Sequence, residues 1–109
     1  MIHLTSQTQI HLAIEPSDFR KQIDGHVALI KQHLKQDPRS GALYVFINRG
    51  KTMIRVISYQ DSGYWIATKR LSRGKFRDWP ASNGPISSAT SKELSVMLKG
   101  LSKAVVKKG

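Results

Sequence analysis

The chain has 109 residues, no cysteine, and 18 Lys+Arg against 7 Asp+Glu, a formal net charge of +11. That length favours one domain over residues 1–109 and excludes a second core or a large fold built from repeated βαβ units. The absence of cysteine excludes disulfides, thiolate metal sites and cysteine nucleophiles, and no apolar run reaches the ~20 residues that span a bilayer.

In chain order, residues 8–14 alternate, with Ile10, Leu12 and Ile14 on one side, which predicts a strand. Pro16 ends it and Ser17-Asp18 offer a helix N-cap. Phe19, Ile23, Val27, Ile30 and Leu34 then recur at steps of three and four, predicting an amphipathic helix over about residues 18–36. Asp37-Pro38-Arg39-Ser40-Gly41 terminates it. Residues 42–48 predict a strand that is apolar on both faces. Arg49-Gly50 makes a turn, and residues 52–59 predict a second strand. Gln60-Asp61-Ser62-Gly63 predicts another turn, with Gly63 available for positive φ. Residues 64–70 complete an antiparallel meander. Residues 72–89 carry loop punctuation throughout. Thr90 and Glu93 match a capping box. Leu94, Met97, Leu98, Leu101 and Val105 predict a C-terminal helix over about residues 91–106, and Lys103, Lys107 and Lys108 suit its dipole.

The resulting order is β-α-β-β-β-α. The fold expected is α+β, an antiparallel sheet with both amphipathic helices packed on one face. The other face would carry a mixture from Tyr44, Phe46, Met53, Arg55, Ile57, Tyr59, Trp65 and Lys69. Such a surface is too apolar to lie idle, and it predicts a homodimer.

The charge is uneven. Residues 1–48 are nearly neutral, at net +1, whereas residues 49–77 hold eight basic side chains and one acid, net +7. Arg49, Lys51, Arg55, Lys69, Arg70, Arg73, Lys75 and Arg77 make up that basic segment, opposed by Asp61. Clustering of one sign is an electrostatic footprint for an anionic partner, DNA above all. Arg49-Gly50-Lys51 and Arg73-Gly74-Lys75 are basic–Gly–basic loops, in which glycine lets backbone N–H groups approach an anion. Neither is a nucleotide-hydrolysing P-loop. Tyr59, Trp65, Phe76 and Trp79 interleave with the cations and are candidates for base stacking or for an interface. His3, His11, His26 and His33 show no metal-pair spacing and read as incidental surface histidines. The seven acids form no visible catalytic cluster. No cofactor, metal or independent enzymatic activity is expected.

Several stretches together resemble a known family. They are Asp18-Phe19-Arg20-Lys21, Asp37-Pro38-Arg39-Ser40-Gly41 running into Leu43-Tyr44-Val45-Phe46, Asn48-Arg49-Gly50-Lys51, and Asp61-Ser62-Gly63. Lys69-Arg70-Leu71-Ser72-Arg73-Gly74-Lys75-Phe76 and Trp79-Pro80 follow. The family comprises small accessory proteins encoded beside the transposase of certain bacterial insertion sequences. They are called TnpB there and are unrelated to the RNA-guided nucleases of that name. Gln22, Gln60 and Asp78 depart from the family pattern. The resemblance implies a helper of the insertion-sequence machinery and brings no catalytic residues.

The function expected is therefore a non-catalytic, basic, cytoplasmic DNA-binding accessory of a mobile element. Arg49, Lys51, Lys69, Arg70, Arg73, Lys75 and Arg77 would contact phosphates. The alternative is a protein–protein adaptor or dimeric passenger protein that docks a transposase or another mobile-element protein without touching DNA. No membrane partner and no signal peptide are expected.

Overall fold

A strand that is apolar on both faces needs cover on both faces, and that requirement organises this protein. The computed structural model describes residues 4–81 and 83–99. Its elements are β1 (Ile10–Ala13), α1 (Ile23–Gln32), β2 (Leu43–Ile47), β3 (Met53–Gln60), β4 (Gly63–Arg70), β5 (Ile86–Ala89) and α2 (Ser91–Leu98). One five-stranded sheet forms in the order β4-β3-β2-β1-β5. β2 lies at its centre, and all five of its residues are buried.

The sheet is mixed, which corrects the antiparallel expectation. β1 runs parallel to β2, with Ile10 opposite Leu43 and Leu12 opposite Val45. The remaining pairs are antiparallel. Parallel neighbours need a crossover of a dozen or more residues, and residues 14–42, which include α1, provide it. β5 is a further correction, because residues 72–89 read as loop. Ile86-Ser87-Ser88-Ala89 has little apolar alternation, yet it pairs with β1 from Ala13↔Ile86 to Ile10↔Ala89.

The helices lie on opposite faces, not on one. Leu94 and Met97 of α2 join Ile10, Leu12, Leu43, Val45, Ile54 and Val56 in one core. Ile30 of α1, with Leu34, joins Ala13, Tyr44, Phe46 and Ile57 in the other. Tyr44, Phe46 and Ile57, expected on an open face, are therefore buried beneath α1. The spare apolar face that motivated a homodimer does not exist.

α1 is shorter than the predicted 18–36. Its N-cap is Gln22, without a side-chain cap bond. Asp18 instead accepts a hydrogen bond from the Arg20 N–H at 2.9 Å, a local turn before the helix. The stripe is also rotated: His26 and Ile30 are its buried residues, while Ile23 and Val27 are half-buried. His26 is a core residue, not a surface one. Its ring meets Phe46 edge-on at 4.8 Å and Phe19 at 5.8 Å. Nδ1 donates to the Gln22 carbonyl at 3.2 Å, and burial pushes the imidazole pKa down.

α2 starts as its sequence dictates. Thr90 Oγ1 accepts from the Glu93 N–H at 3.0 Å, and Glu93 Oε1 accepts from the Thr90 N–H at 2.9 Å. Leu101, Val105, Lys103, Lys107, Lys108 and the remainder of the predicted 91–106 helix lie outside the described residues, as does His3. The β3–β4 hairpin is tighter than expected. Its loop is Asp61-Ser62, both at positive φ (51° and 68°), while Gly63 belongs to β4. Two such residues make the hairpin turn whose twist matches the strands.

Candidate nucleic-acid interface

The β2–β3 turn is built by Asn48. The Lys51 N–H donates to the Asn48 carbonyl at 3.0 Å and closes the turn over Arg49-Gly50. Asn48 Oδ1 accepts from the N–H groups of Thr52 at 2.9 Å and Met53 at 3.0 Å, and Nδ2 donates to Thr52 Oγ1 at 3.0 Å. Lys51 (φ 59°) takes the left-handed conformation here. The side chain of Asn48 thus occupies backbone groups that the turn leaves open. Sequence reasoning passed over it, although an Asn just ahead of a Gly-containing turn is the signal that would have found it.

The second basic loop is held by the path of the chain. β4 and β5 are opposite edges of the sheet, so residues 71–85 must cross about 19 Å, four strand spacings. Phe76 and Trp79 anchor the crossing. Phe76, 3% exposed, sits in the core on the α2 side. Trp79 packs against the same core and donates its indole N–H to the Ala13 carbonyl at 2.9 Å. Both were candidates for stacking or for an interface; Phe76 is buried in the core, and Trp79, half-buried, is anchored by its indole hydrogen bond.

Two backbone hydrogen bonds then join the loops. The Leu71 N–H donates to the Thr52 carbonyl at 3.0 Å, and the Phe76 N–H donates to the Lys51 carbonyl at 2.7 Å. Arg70 sits opposite Met53 in the β3–β4 register. Arg49, Lys51, Arg70, Arg73 and Lys75 therefore gather at one end of the sheet, and all are exposed. Gly74 supplies the positive φ (76°) that turns the second loop. Arg77 is exposed just beyond Phe76, and Lys69 is exposed on β4 opposite Ile54. The Asp18–Arg20 ion pair and the contact between Glu15 and His33 lie outside this patch.

Trp65 and Tyr59 lie apart from the loop cations. Trp65 is 45% exposed near the hairpin end of β4, opposite Ser58. Five strand steps, about 17 Å, lie between it and Arg70. Tyr59 is at the same far end, edge-on to Tyr64 at 5.0 Å and beneath the Arg39 guanidinium at 5.2 Å. Arg55 also leaves the patch. Its Nη1 donates to the carbonyls of Phe19 at 3.1 Å and Lys21 at 3.0 Å, and its guanidinium covers the Phe19 ring at 4.6 Å. It braces the connection between β1 and α1.

That connection and the Asn48 turn enclose an open cleft of about 500 Å³, with Asp18, Phe19 and Arg20 on one side and Arg49, Gly50 and Met53 on the other. Arg20 binds Asp18 by a guanidinium hydrogen bond of 2.8 Å and its own N–H, which hold the Asp18 carboxyl down at a pKa of about 2. That carboxylate stays charged and offsets Arg20, so Arg49 is the cleft's link to the patch.

Residues 8–108 match the family described as IS66 Orf2 like protein. The chain belongs to that family. It is 33% identical over 108 residues to the uncharacterized protein y4jC of Sinorhizobium fredii (strain NBRC 101917 / NGR234), covering 99% of this chain and 92% of that one. It is 29% identical over 101 residues to the uncharacterized protein y4hO of the same strain, covering 93% and 87%. No solved structure matches. This IS66 Orf2-like protein is thus an accessory protein of a mobile element. The stretches that carry the resemblance have physical roles in it. Asn48-Arg49-Gly50-Lys51 is the clamped turn, residues 69–76 are the loop tied to it, and Trp79-Pro80 holds the crossing segment. Among the described residues, no three or more His, Cys, Asp or Glu side chains gather where a metal ion could be held. No helix among them is long and apolar enough to cross a membrane.

Proposed function

We propose that this IS66 Orf2-like protein is a non-catalytic DNA-binding accessory of transposition, and that its tied basic loops grip backbone phosphates. The observation that carries this reading is the hydrogen bond from the Phe76 N–H to the Lys51 carbonyl, 2.7 Å. It fixes two short cationic loops side by side at one end of the sheet. Two flexible loops would have to be ordered on binding; here folding has already met that entropic cost. Phosphate contacts of this kind position a protein on DNA and carry no base sequence. The distance of Trp65 from the cations favours duplex backbone over a stacked single strand, because stacking platforms interleave with the cationic path.

The test is fluorescence anisotropy on duplexes carrying an element end or random sequence, across a salt series. With about five phosphates neutralised, log K falls against log[salt] with a slope near −4 to −5. Charge reversal at Arg73 and Lys75 (R73E/K75E) abolishes binding at about 50 mM salt. No binding by the unmodified protein, or a salt-independent affinity, overturns the reading. Transposase capture that survives R73E/K75E, with no DNA binding by the unmodified protein, would establish the adaptor in its place.

A further inference from the structure

The open part of this sheet is an edge rather than a face. β4 is an edge strand with only β3 beside it. Every residue from Trp65 to Arg70 is exposed. Trp65 at 45% and Ile66 at 36% are, with Leu4, the exposed large apolar residues among those described.

The direction of the free backbone groups follows from the hairpin. In a two-residue hairpin the flanking residues, Gln60 and Gly63, exchange both hydrogen bonds, and such pairs alternate with unbonded ones along the ladder. The bond from Leu71 N–H to Thr52 O, 3.0 Å, is in phase with that alternation. The N–H and C=O groups of Tyr64, Ile66, Thr68 and Arg70 therefore point away from β3. A strand this long, open and apolar at one end is a template for pairing.

We propose that β4 pairs antiparallel with β4 of a second copy of this chain, about a two-fold axis at Ala67. In that register each of the four outward residues exchanges both of its hydrogen bonds. Tyr64 faces the partner's Arg70, and Ile66 faces the partner's Thr68. Trp65 faces the partner's Lys69. Each Lys69 and Arg70 thus meets an aromatic ring on the same face, the arrangement that cation–π attraction favours. Ala67 meets its own copy at the axis, where its small side chain leaves room. Asp61, the one acid of the basic segment, sits at the turn that approaches the partner's basic end. Charge also decides the direction. Parallel pairing would set Lys69-Arg70 of both copies abreast. Antiparallel pairing separates the two Arg70 residues by six steps, about 20 Å, roughly two screening lengths at 0.15 M salt. The result is one continuous ten-stranded sheet with a basic loop pair at each end. This inference does not depend on DNA binding.

The test uses the absence of cysteine from the chain. Unbonded antiparallel partners lie about 4.5 Å apart at Cα, within the range a disulfide spans. Under mild oxidation, Ala67→Cys gives a covalent dimer in high yield, at least tenfold above a control, Asn83→Cys, in an exposed loop. Ile66→Pro removes one outward N–H, a change a free edge tolerates. It leaves the circular dichroism unchanged and weakens dimerisation at least tenfold by sedimentation. A monomer at about 100 µM protein, a covalent yield from Ala67→Cys no higher than that from Asn83→Cys, or a dimer that Ile66→Pro does not weaken, each overturns the proposal.

Discussion

β2 and β4 belong to the same sheet and have opposite relations to water. All five residues of β2 are buried, whereas β4 is exposed on both faces from Trp65 to Arg70. Both strands carry aromatic and aliphatic side chains, and although β4 ends in Thr68-Lys69-Arg70, composition alone does not set its Trp65 and Ile66 apart from β2. Position does: β2 has a strand on each side and a helix over each face, and β4 has one neighbour and little cover. The centre of this sheet is scaffold, and its outer edge and one end are left for contact. The crossing segment links the two regimes, because Phe76 is buried like β2 and Trp79 is half-buried against the same core, while Arg73, Lys75 and Arg77 are exposed like β4.

The comparison breaks most severely at Phe76. Phe76→Ala should cost about 3–5 kcal/mol of stability by urea denaturation, as deletion of a buried ring does. It should also weaken DNA binding, because the second loop loses its anchor. A stable variant with normal affinity would show that the loop holds itself.

Next in size is the pH response of the scaffold. Burial lowers the folded-state pKa of His26 below its unfolded value of 6.5. The unfolded chain therefore binds the proton more readily. The stability from the neutral ring is fully present above about pH 6.5 and falls as pH drops below it, by at most about 1.4 kcal/mol per pH unit. Denaturation midpoints between pH 7.5 and 5.5 read this. The slope should shrink in His26→Phe and persist in His33→Ala, whose ring is exposed.

An effect of similar size falls on Gly74. Its φ is 76°, and an added Cβ would meet nothing within 4 Å. Gly74→Ala should therefore cost only the left-handed backbone penalty, roughly 1–2 kcal/mol, measured by thermal melting. The smallest change in stability is at Lys51, which holds φ 59°. Lys51→Gly relieves that penalty and adds freedom to the unfolded chain, so the net change stays under about 1 kcal/mol. The same substitution removes one cation and should reduce the salt slope of DNA binding by about one. Together these two variants separate backbone strain from charge within the paired loops.

Much of the fold was legible. The hairpin strands, the capped start of α2 and the placement of α1 follow from alternation, capping chemistry and three-four spacing. Tyr44 and Phe46 even carried the information that both sheet faces are covered, since a strand apolar on both sides has no use for an open one. What stayed hidden depends on neighbours far along the chain. The parallel β1–β2 pair is a property of the crossover, and Ile86-Ser87-Ser88-Ala89 becomes a strand only because β1 offers it an edge. In the candidate site, the cations and glycines were visible, but the bonds from Phe76 to Lys51 and from Leu71 to Thr52 were not. Nor was the spacing visible: Trp65 and Arg70, close in sequence, stand five strand steps apart because the chain between them is extended.

The pairing of β1 with β5 has a consequence for the order in which the molecule assembles. Ile10 finds its antiparallel partner in Ala89, near the opposite end of the described chain. The β2–β3–β4 meander closes short loops and can form early, whereas β5 must wait for a contact that spans most of the sequence. In pulse-labelled hydrogen exchange, amides of β3 and β4 should gain protection first and those of β5 last. The segment that carries Arg73 and Lys75 ends in that last strand, so the second basic loop takes its final shape only as the sheet is completed.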